Sequence, residues 1–247
     1  MKQLTIPLDL PQRTNPAPIP QPTPYNLYSG VIDFVCVLRE SAQYDVGDVN
    51  RLYLSIVRYS GRPFAFHCLT DSKSKSFHRC INVIGLKHRS WQTKQSKLEI
   101  FREGLGLERV VYFDLDTLII RSILPMLSYD GDFMCLGDFG GHDYLASGIL
   151  LFDAAKHHYL YESFRELKED ERETVYKVGC GRGDQLFLAH NIKVVPHTIQ
   201  EYWPRLVISY NKSCKGNALP PKEAAIVVFH GKHKPKNARE EWIRNLL

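Results

Sequence analysis

The stretch from Arg109 to Ile120 is the part of this chain that most constrains its fold. Residues 110–113 read Val-Val-Tyr-Phe, an unbroken apolar run of β-branched and aromatic side chains. Such a run is typical of a strand buried on both faces, as in a parallel sheet covered by helices. In sheets of that kind the ligand crevice lies at the carboxyl ends of the strands. The stretch therefore predicts an α/β fold with a functional edge directly after Phe113.

Two carboxylates, Asp114 and Asp116, follow that run and are separated by a single residue. Side chains two residues apart in an extended chain point to the same face, so both can approach one ligand. Two adjacent anions repel each other unless a cation lies between them, and carboxylate oxygens suit Mg²⁺ or Mn²⁺. The pattern predicts a metal site. The alternative is an ordinary turn with solvated carboxylates, because Asp favours turns.

Length and composition indicate an ordinary globular protein. The chain has 247 residues, of which 44% are hydrophobic and 24% charged, enough for one large domain. No apolar run approaches the roughly 18 residues of a membrane span, and no secretory leader opens the chain, so we expect a cytoplasmic location. The net charge of +5 suits an anionic partner: a nucleotide, an acidic membrane surface at which contact would be peripheral, or nucleic acid.

The cysteines are scattered, without any Cys-x-x-Cys pair. This spacing predicts buried free thiols in a reducing compartment rather than a zinc site or a disulfide framework. The six are Cys36, Cys68, Cys80, Cys135, Cys180 and Cys214.

The chain divides into two parts by composition. Residues 1–28 are dense in proline, which favours an extended strap or tail over a packed element, and residues 29–247 form the predicted single domain. Strands are predicted at 31–38, 64–69, 81–86, 110–113, 132–136, 148–152, 192–195 and 225–229. Helices are predicted at 97–102, 154–170, 183–190 and 238–247, and after the N-cap candidates Asp45 and Asp48, with Val49, Leu52, Tyr53, Ile56 and Val57 on the inner face. This alternation favours a mainly parallel sheet flanked by helices.

Four segments occur in an informative order along the chain. They are Val111 to Leu118, Ala146 to Phe152, Gly183 to Phe187, and Ile226 to Pro235, the last reading Ile-Val-Val-Phe-His-Gly-Lys-His-Lys-Pro. Together they resemble the metal-dependent glycosyltransferases of the GT-A fold, in the family-eight-like group of glycogenin and the bacterial lipooligosaccharide galactosyltransferases. The resemblance covers roughly residues 31 to 236. It implies the GT-A fold, a Rossmann-like arrangement that binds a nucleotide-diphospho-sugar.

The resemblance implies a metal site of three ligands. Asp114, Asp116 and His230 match the positions that hold a divalent ion against the diphosphate of a nucleotide sugar. Carboxylate and imidazole ligands suit Mn²⁺ somewhat better than Mg²⁺. His230 taken alone could instead be a core histidine with satisfied hydrogen bonds.

The resemblance also implies contacts to the nucleotide-sugar donor, which we expect to be UDP-linked. The end of the first strand and Tyr44 would hold the base and ribose, and Ser147 matches a position that is usually Asn in the family. The basic residues would reach the phosphates. The implied donor-binding residues are Val37, Leu38, Arg39, Tyr44, Lys97, Asp114, Leu115, Asp116, Ser147, Gly231, Lys232 and Lys234.

Asp184 and Gln185 match a pair that lies beside the reacting sugar in the resembling enzymes. The resemblance implies that this pair is catalytic and that the anomeric configuration is retained, with Asp184 orienting the substrate. Asp184 could instead cap the helix that follows it.

The sequence thus favours transfer of a hexose from a nucleotide sugar to an acceptor hydroxyl, with a bacterial surface glycan as the expected acceptor. Other functions stay open. A basic region could contact nucleic acid, as a DNA-base glycosyltransferase requires, although a solvated loop is the favoured interpretation. A sugar nucleotidyltransferase or a degenerate sugar-nucleotide-binding module are further alternatives. The basic region contains Lys73, Lys75, Arg79, Lys87, His88, Arg89, Lys94 and Lys97, with Phe77 and Trp91 among them.

Overall fold

The apolar runs of the sequence form two β-sheets. The computed structural model describes residues 30–41, 43–140, 145–178, 183–216 and 219–246. Its strands are β1 (Ile32–Leu38), β2 (Phe64–Thr70), β3 (Asn82–Gly85), β4 (Arg109–Phe113), β5 (Thr117–Ile119), β6 (Phe133–Gly137), β7 (Leu145–Asp153), β8 (His197–Thr198), β9 (Val207–Ser209) and β10 (Ile226–Val228).

The larger sheet has seven strands in the order β3-β2-β1-β4-β7-β6-β8. The pairs β3-β2, β2-β1, β1-β4 and β6-β8 are parallel, and only β7 runs antiparallel to its neighbours β4 and β6. This arrangement confirms the expected mostly parallel sheet. The antiparallel β7 brings residues 147 and 148 beside the carboxyl end of β4, because Phe113 pairs with Ile149.

Helices cover both faces of the larger sheet. They are α1 (Val46–Tyr59), α2 (Leu124–Leu127), α3 (Ala154–Glu166), α4 (Glu169–Val178), α5 (Gly183–Asn191), α6 (Ile199–Tyr202), α7 (Tyr210–Ser213) and α8 (Glu241–Arg244), with 3₁₀ segments at Gln95–Phe101 and Pro235–Asn237. Asp45, one of the two predicted N-cap candidates, caps α1. Asp48, the other candidate, is instead the third residue of the helix and completes a capping box with Asp45.

The burial of β4 on both of its faces explains why its sequence is apolar without interruption. Val111 and Phe113 pack into the core that lies beneath α1, whereas Val110 and Tyr112 pack into the core beneath α3 and α5. All four are at most 2% exposed. Burial of one such side chain contributes about 1.5–3 kcal/mol, so β4 is held on both faces and provides a rigid base for the residues that follow it.

The smaller sheet places the carboxyl end of β10 beside the turn that follows β4. Its order is β5-β10-β9, with β5 antiparallel and β9 parallel to β10. The backbone N–H of Phe229, directly after β10, donates to the carbonyl of Asp116 at 3.1 Å. Segments that are more than 100 residues apart in sequence therefore meet at one edge.

The structure corrects two predicted helices. The helix predicted over 154–170 ends at Glu166, and a separate helix starts at Glu169, because Leu167 is extended and Glu171 accepts a hydrogen bond from the backbone N–H of Lys168. The terminal helix predicted over 238–247 is only the single turn of α8, preceded by the 3₁₀ segment at Pro235–Asn237.

Two further predictions about apolar residues were wrong. No strand forms at 192–195, a part of the chain that the structure describes in full; instead the neighbouring pair His197–Thr198 joins the sheet edge beside β6. Val57 is 51% exposed, so it does not belong to the inner face of α1, unlike Val49, Leu52 and Ile56. A position one residue past Ile56 is rotated by about 100° around the helix, which carries it out of the core.

The proposed division into a proline-rich tail and one domain stays a prediction, since residues 1–29 lie outside the described residues, as does Cys180. Among the cysteines that the structure does describe, Cys36, Cys68, Cys80, Cys135 and Cys214 are free thiols. None of the described helices is long and apolar enough to span a bilayer.

Candidate active site

The two aspartates lie on the tight turn that connects β4 to β5. The backbone N–H of Asp114 donates to the carbonyl of Gly148 at 2.9 Å, and its own carbonyl accepts from Thr117 at 3.1 Å. A Cβ atom at Gly148 would lie 3.4 Å from the Asp114 carboxylate, an ordinary van der Waals distance, so β7 passes directly beside this side chain. The turn directs the two side chains to two separate groups of residues.

Asp114 belongs to a group that we call the Lys97 cluster: Lys97, Asp114, Ser147 and Asp184. The Lys97 ammonium lies 3.0 Å from a carboxylate oxygen of Asp114 and 3.0 Å from one of Asp184. It also donates to the Ser147 hydroxyl at 2.9 Å, and that hydroxyl donates to Asp184 at 2.6 Å. Lys97, Ser147 and Asp184 are all nearly inaccessible to solvent. The cluster is a buried network in which one cation serves two carboxylates.

Charge interactions within the Lys97 cluster outweigh the effect of burial on two of its groups. Burial alone lowers the pKa of Lys97, but the carboxylates of Asp114 and Asp184 raise that pKa above its ordinary value. Burial raises the pKa of Asp184, yet Lys97 and the Ser147 hydrogen bond bring that pKa below its ordinary value. For Asp114, burial and the neighbouring Asp116 prevail and raise the pKa. Lys97 and Asp184 are therefore charged at neutral pH.

Asp116 belongs to a second group, the Lys234 cluster: Tyr44, Asp116 and Lys234. The Lys234 ammonium lies 2.7 Å from an oxygen of Asp116, and the Tyr44 hydroxyl donates to the same oxygen at 3.0 Å. Lys234 also lies over the Tyr44 ring, 5.2 Å from its centroid. Burial, together with Asp116 and Asp114, raises the pKa of Tyr44, so its hydroxyl stays protonated and donates. Three distant segments meet at one carboxylate oxygen.

His230 follows β10 and lies near this second cluster on the exposed side. Its Nε2 atom lies 2.7 Å from the Ser209 hydroxyl and its Nδ1 atom 3.2 Å from the Asn211 amide, while Phe139 stacks on the ring. Burial lowers the pKa of His230, although Asp116 acts in the opposite direction. The imidazole is thus neutral at neutral pH, the form that binds metals.

The remaining residues expected at the donor site occupy varied environments. Arg39 binds Asp71 at 3.0 Å, the Ser96 hydroxyl at 2.7 Å and the carbonyl of His88 at 2.6 Å, so it connects two loops to the 3₁₀ segment at Gln95–Phe101. Leu38 is fully buried, Val37 is half-buried, and Gln185 is half-buried on α5 beside Asp184.

The loop after His230 contains the other two expected residues. Gly231 has a positive φ of 69°, which favours glycine at that turn, and Lys232 is exposed. The turn brings Lys234 back toward Asp116.

The donor atoms of Asp114, Asp116 and His230 fit a divalent ion in their chemistry, since they are two carboxylates and a neutral imidazole. Within the described ranges, no three His, Cys, Asp or Glu side chains are placed together as a metal site. Lys97 and Lys234 balance the same carboxylates instead.

Sequence reasoning missed Arg51, which contacts the turn itself. This arginine on α1 donates to the carbonyls of Leu115 and Thr117, at 2.6 and 3.0 Å. The available signal in the sequence was an arginine beside the apolar face of α1, a position that the structure shows to be buried. Its partners are more than 60 residues away in the chain.

The basic region does not present the aromatic side chains that nucleic-acid stacking requires. Trp91 is 4% exposed, stacks under His88 and contacts Phe164 edge-on. Phe77 is half-buried and packs against the core beneath α1. Nucleic-acid bases stack on accessible aromatic faces, and Trp91, which is packed in the core, does not offer such a face.

No protein-family model and no curated protein sequence matches this chain. Solved structures do. A galactosyltransferase, LgtC, in complex with donor and acceptor sugar analogues is 17% identical with a TM-score of 0.63, over 87% of this chain and 93% of LgtC. An active-site glutamine-to-glutamate mutant of LgtC is 14% identical with a TM-score of 0.57, over 87% of this chain and 93% of the mutant.

Two larger enzymes are similar over part of their length. The glycosyltransferase GlyE of Streptococcus pneumoniae is 14% identical with a TM-score of 0.58, over 87% of this chain and 58% of GlyE. The bifunctional glycosyltransferase WbbM is 12% identical with a TM-score of 0.59, over 90% of this chain and 52% of WbbM. The chain therefore has the GT-A fold of the LgtC-type glycosyltransferases.

Proposed function

We propose that this protein is a glycosyltransferase that moves a hexose from a nucleotide sugar, UDP-linked, to an acceptor hydroxyl. One observation carries the proposal: two clusters of lysine and aspartate meet at the carboxyl edge of β4 in a GT-A fold. That edge is where ligands of α/β sheets bind. The LgtC structure that this chain resembles contains donor and acceptor sugar analogues, which supports the same classes of partner here.

The charge of the two clusters supports a divalent ion as part of the donor complex. They contain the carboxylates of Asp114, Asp116 and Asp184 but only two ammonium groups, Lys97 and Lys234, so one negative charge is in excess. A nucleoside diphosphate adds further negative charge and would be repelled. Mn²⁺ or Mg²⁺ held by Asp114, Asp116 and His230 would supply the missing positive charge and stabilise the departing diphosphate.

The protein's own residues would contribute mainly position and charge. Lys234 lies on a loop beside Asp116, from which its ammonium can reach a phosphate oxygen of the donor, with Lys232 exposed nearby. Asp184 is charged and fixed by Lys97 and Ser147, so it is suited to accept hydrogen bonds from sugar hydroxyls. Catalysis of this kind depends on orientation and preorganised charge rather than on a strong protein base.

Gln185 and retention of configuration complete the proposal. Gln185 follows Asp184 on α5, and the glutamine mutant of LgtC is described as an active-site mutant. We place Gln185 beside the reacting carbon of the sugar. In transfer with retention, the bond from that carbon to the diphosphate breaks, the bond to the acceptor oxygen forms on the same face, and the acceptor's proton departs with the diphosphate.

A bacterial surface glycan is the acceptor that we favour over DNA. A DNA-base glycosyltransferase needs accessible aromatic or flipped-base contacts beside its cationic surface. Trp91 in the basic region is buried. The cytoplasmic location stays part of this proposal.

The test is a thermal-shift series of nucleotide sugars, each with Mn²⁺, with Mg²⁺ and with a chelator. A ligand that binds the folded state raises the free energy of unfolding by mass action, by about 2.7 kcal/mol at 100 times its Kd, and so raises the melting temperature. We expect stabilisation by a UDP-sugar that requires the metal and disappears in the Asp116→Ala variant, which should also lose turnover. Near-normal turnover in Asp116→Ala would overturn the metal assignment. Absence of a shift with every nucleotide sugar would overturn the proposed function.

A further inference from the structure

The turn that carries Asp116 is held from below by a single side chain of α1. Arg51 is 9% exposed, and its two terminal nitrogens donate to two carbonyls of the turn. Nη2 donates to the carbonyl of Leu115 at 2.6 Å and Nη1 to the carbonyl of Thr117 at 3.0 Å. These carbonyls belong to the residues on either side of Asp116. The planar guanidinium therefore spans Asp116 and limits rotation of the peptide units that orient it.

Two further contacts hold Asp116, one to its backbone carbonyl and one to its carboxylate. Its carbonyl accepts from the backbone N–H of Phe229 at 3.1 Å, and its carboxylate binds Tyr44 and Lys234. Tyr44 and Lys234 belong to loops and contact the carboxylate that would meet the donor complex. Arg51 instead belongs to a 14-residue helix and, within the turn, contacts only the backbone. Its two hydrogen bonds therefore persist when the Asp116 carboxylate binds other groups.

The orientation of Arg51 is itself supported at the start of α1. The carboxylate of Asp48 lies 3.6 Å from Nη2 of Arg51, one turn earlier on the same helix. Asp48 is also buried and closes the capping box by accepting from the backbone N–H of Asp45 at 3.1 Å. The start of α1 and the turn after β4 are thus joined as one rigid unit.

We propose that Arg51 is a positioning residue for the transfer reaction, acting through the backbone of Leu115 and Thr117 to fix the direction of the Asp116 carboxylate. This inference rests on the proposed glycosyltransferase function. Arg51 does not contact substrate; its effect passes entirely through Asp116. A misplacement of about 1 Å at a reacting centre can lower a rate by about 100-fold, so loss of the two hydrogen bonds from Arg51 should lower the rate of transfer measurably.

The test is a double-mutant cycle with a matched arginine as control. Arg51→Met and Asp116→Asn are measured singly and together, by kcat/KM and by the Kd for UDP with Mn²⁺. Arg109 provides the control, because it is similarly buried and donates to two carbonyls, those of Gly131 and Tyr129 at 3.0 and 2.6 Å, at the start of β4. Arg109→Met removes the same kind of fork at the opposite end of that strand.

We expect Arg51→Met to lower kcat by about 10- to 100-fold and to weaken UDP binding, and the double variant to match Asp116→Asn within about threefold. Arg109→Met should lower the melting temperature while its effect on kcat/KM multiplies with that of Asp116→Asn. Multiplying effects for Arg51→Met as well would show that Arg51 is merely structural and would overturn the inference. Arg51→Lys enters the same cycle in every case, because it keeps the charge that acts on Asp116 and loses the two hydrogen bonds to the turn. Parent-level activity in Arg51→Lys would show that the charge alone matters and would overturn the inference.

Measurements on the unsubstituted parent protein distinguish failure of this inference from failure of the proposed function. If the parent shows no metal-dependent UDP binding and no UDP release from any nucleotide sugar, the proposed function fails and the inference fails with it. If the parent binds and turns over but the cycle shows no coupling, only the role of Arg51 is wrong.

Discussion

The two lysine clusters of the site use the same chemistry but are built in different ways. The Lys97 cluster joins elements of the larger sheet and its helices: the 3₁₀ segment at Gln95–Phe101, the end of β4, β7 and α5. The Lys234 cluster joins Tyr44 and Lys234, which both lie in loops, to the turn after β4. Lys97 contacts three residues that are held in place by the larger sheet and its helices. Lys234 lies in a loop and contacts a single carboxylate, that of Asp116.

That difference indicates that the two clusters have different roles. A cation surrounded by rigid elements is part of the folded core and preorganises Asp114 and Asp184 before any ligand arrives. A cation on a loop can leave its carboxylate at low cost and follow a phosphate group. Three substitutions test this difference.

Lys97→Met should destabilise the protein most. It leaves Asp184 buried and Asp114 partly buried without their shared cation, and removal of one partner from a buried ion pair costs about 3–5 kcal/mol. Urea unfolding measures the change. Lys156→Met is the control, since Lys156 pairs with Asp132 in solvent and its loss should change stability little. Equal effects of the two substitutions would contradict a structural role for the Lys97 cluster.

Lys234→Met should affect donor binding more than stability. Asp116 keeps the Tyr44 hydroxyl, so we expect a loss of about 1.5 kcal/mol, the lower end for a hydrogen bond to a charged group. KM for the nucleotide sugar should rise at least about tenfold because a phosphate contact is lost. Lys236→Met serves as control on the same loop, where Lys236 is exposed and lies 3.9 Å from Asp45. An unchanged KM in Lys234→Met would show that Lys234 balances Asp116 only.

Ser147→Ala should have an effect that is confined to the Lys97 cluster. It removes one buried hydrogen bond to Asp184 and one from Lys97, while the ion pair remains, so the expected loss is about 1.5 kcal/mol, the lower end for hydrogen bonds to charged groups. Ser128→Ala, which removes an exposed hydroxyl far from the site, is the comparison in the same unfolding experiment. A change in donor KM without any loss of stability would show that Ser147 contacts the donor instead of supporting Asp184.

The sequence predicted the elements that are defined by long apolar runs or by caps. The strand before Asp114 and the start of α1 at its Asp45 cap are both found in the structure. The predictions that were wrong concern short or marginal segments. In the run at 192–195, Ile192 and Val194 pack against the core without strand pairing while Val195 is exposed, and Val57 lies at the margin of the helical face. Local patterns determine such marginal positions poorly, because packing decides them.

The amino-acid sequence alone predicts the strand β4, the pair of aspartates at its end and a mostly parallel α/β fold around them, since the pattern of apolar residues is a local property. Which cation faces which carboxylate follows only from the folded chain. Lys97 reaches Asp184, and Lys234 reaches Asp116, across 87 and 118 positions of the chain. Contacts at such separations depend on how the sheet orders its strands, and no spacing within a single segment encodes that order.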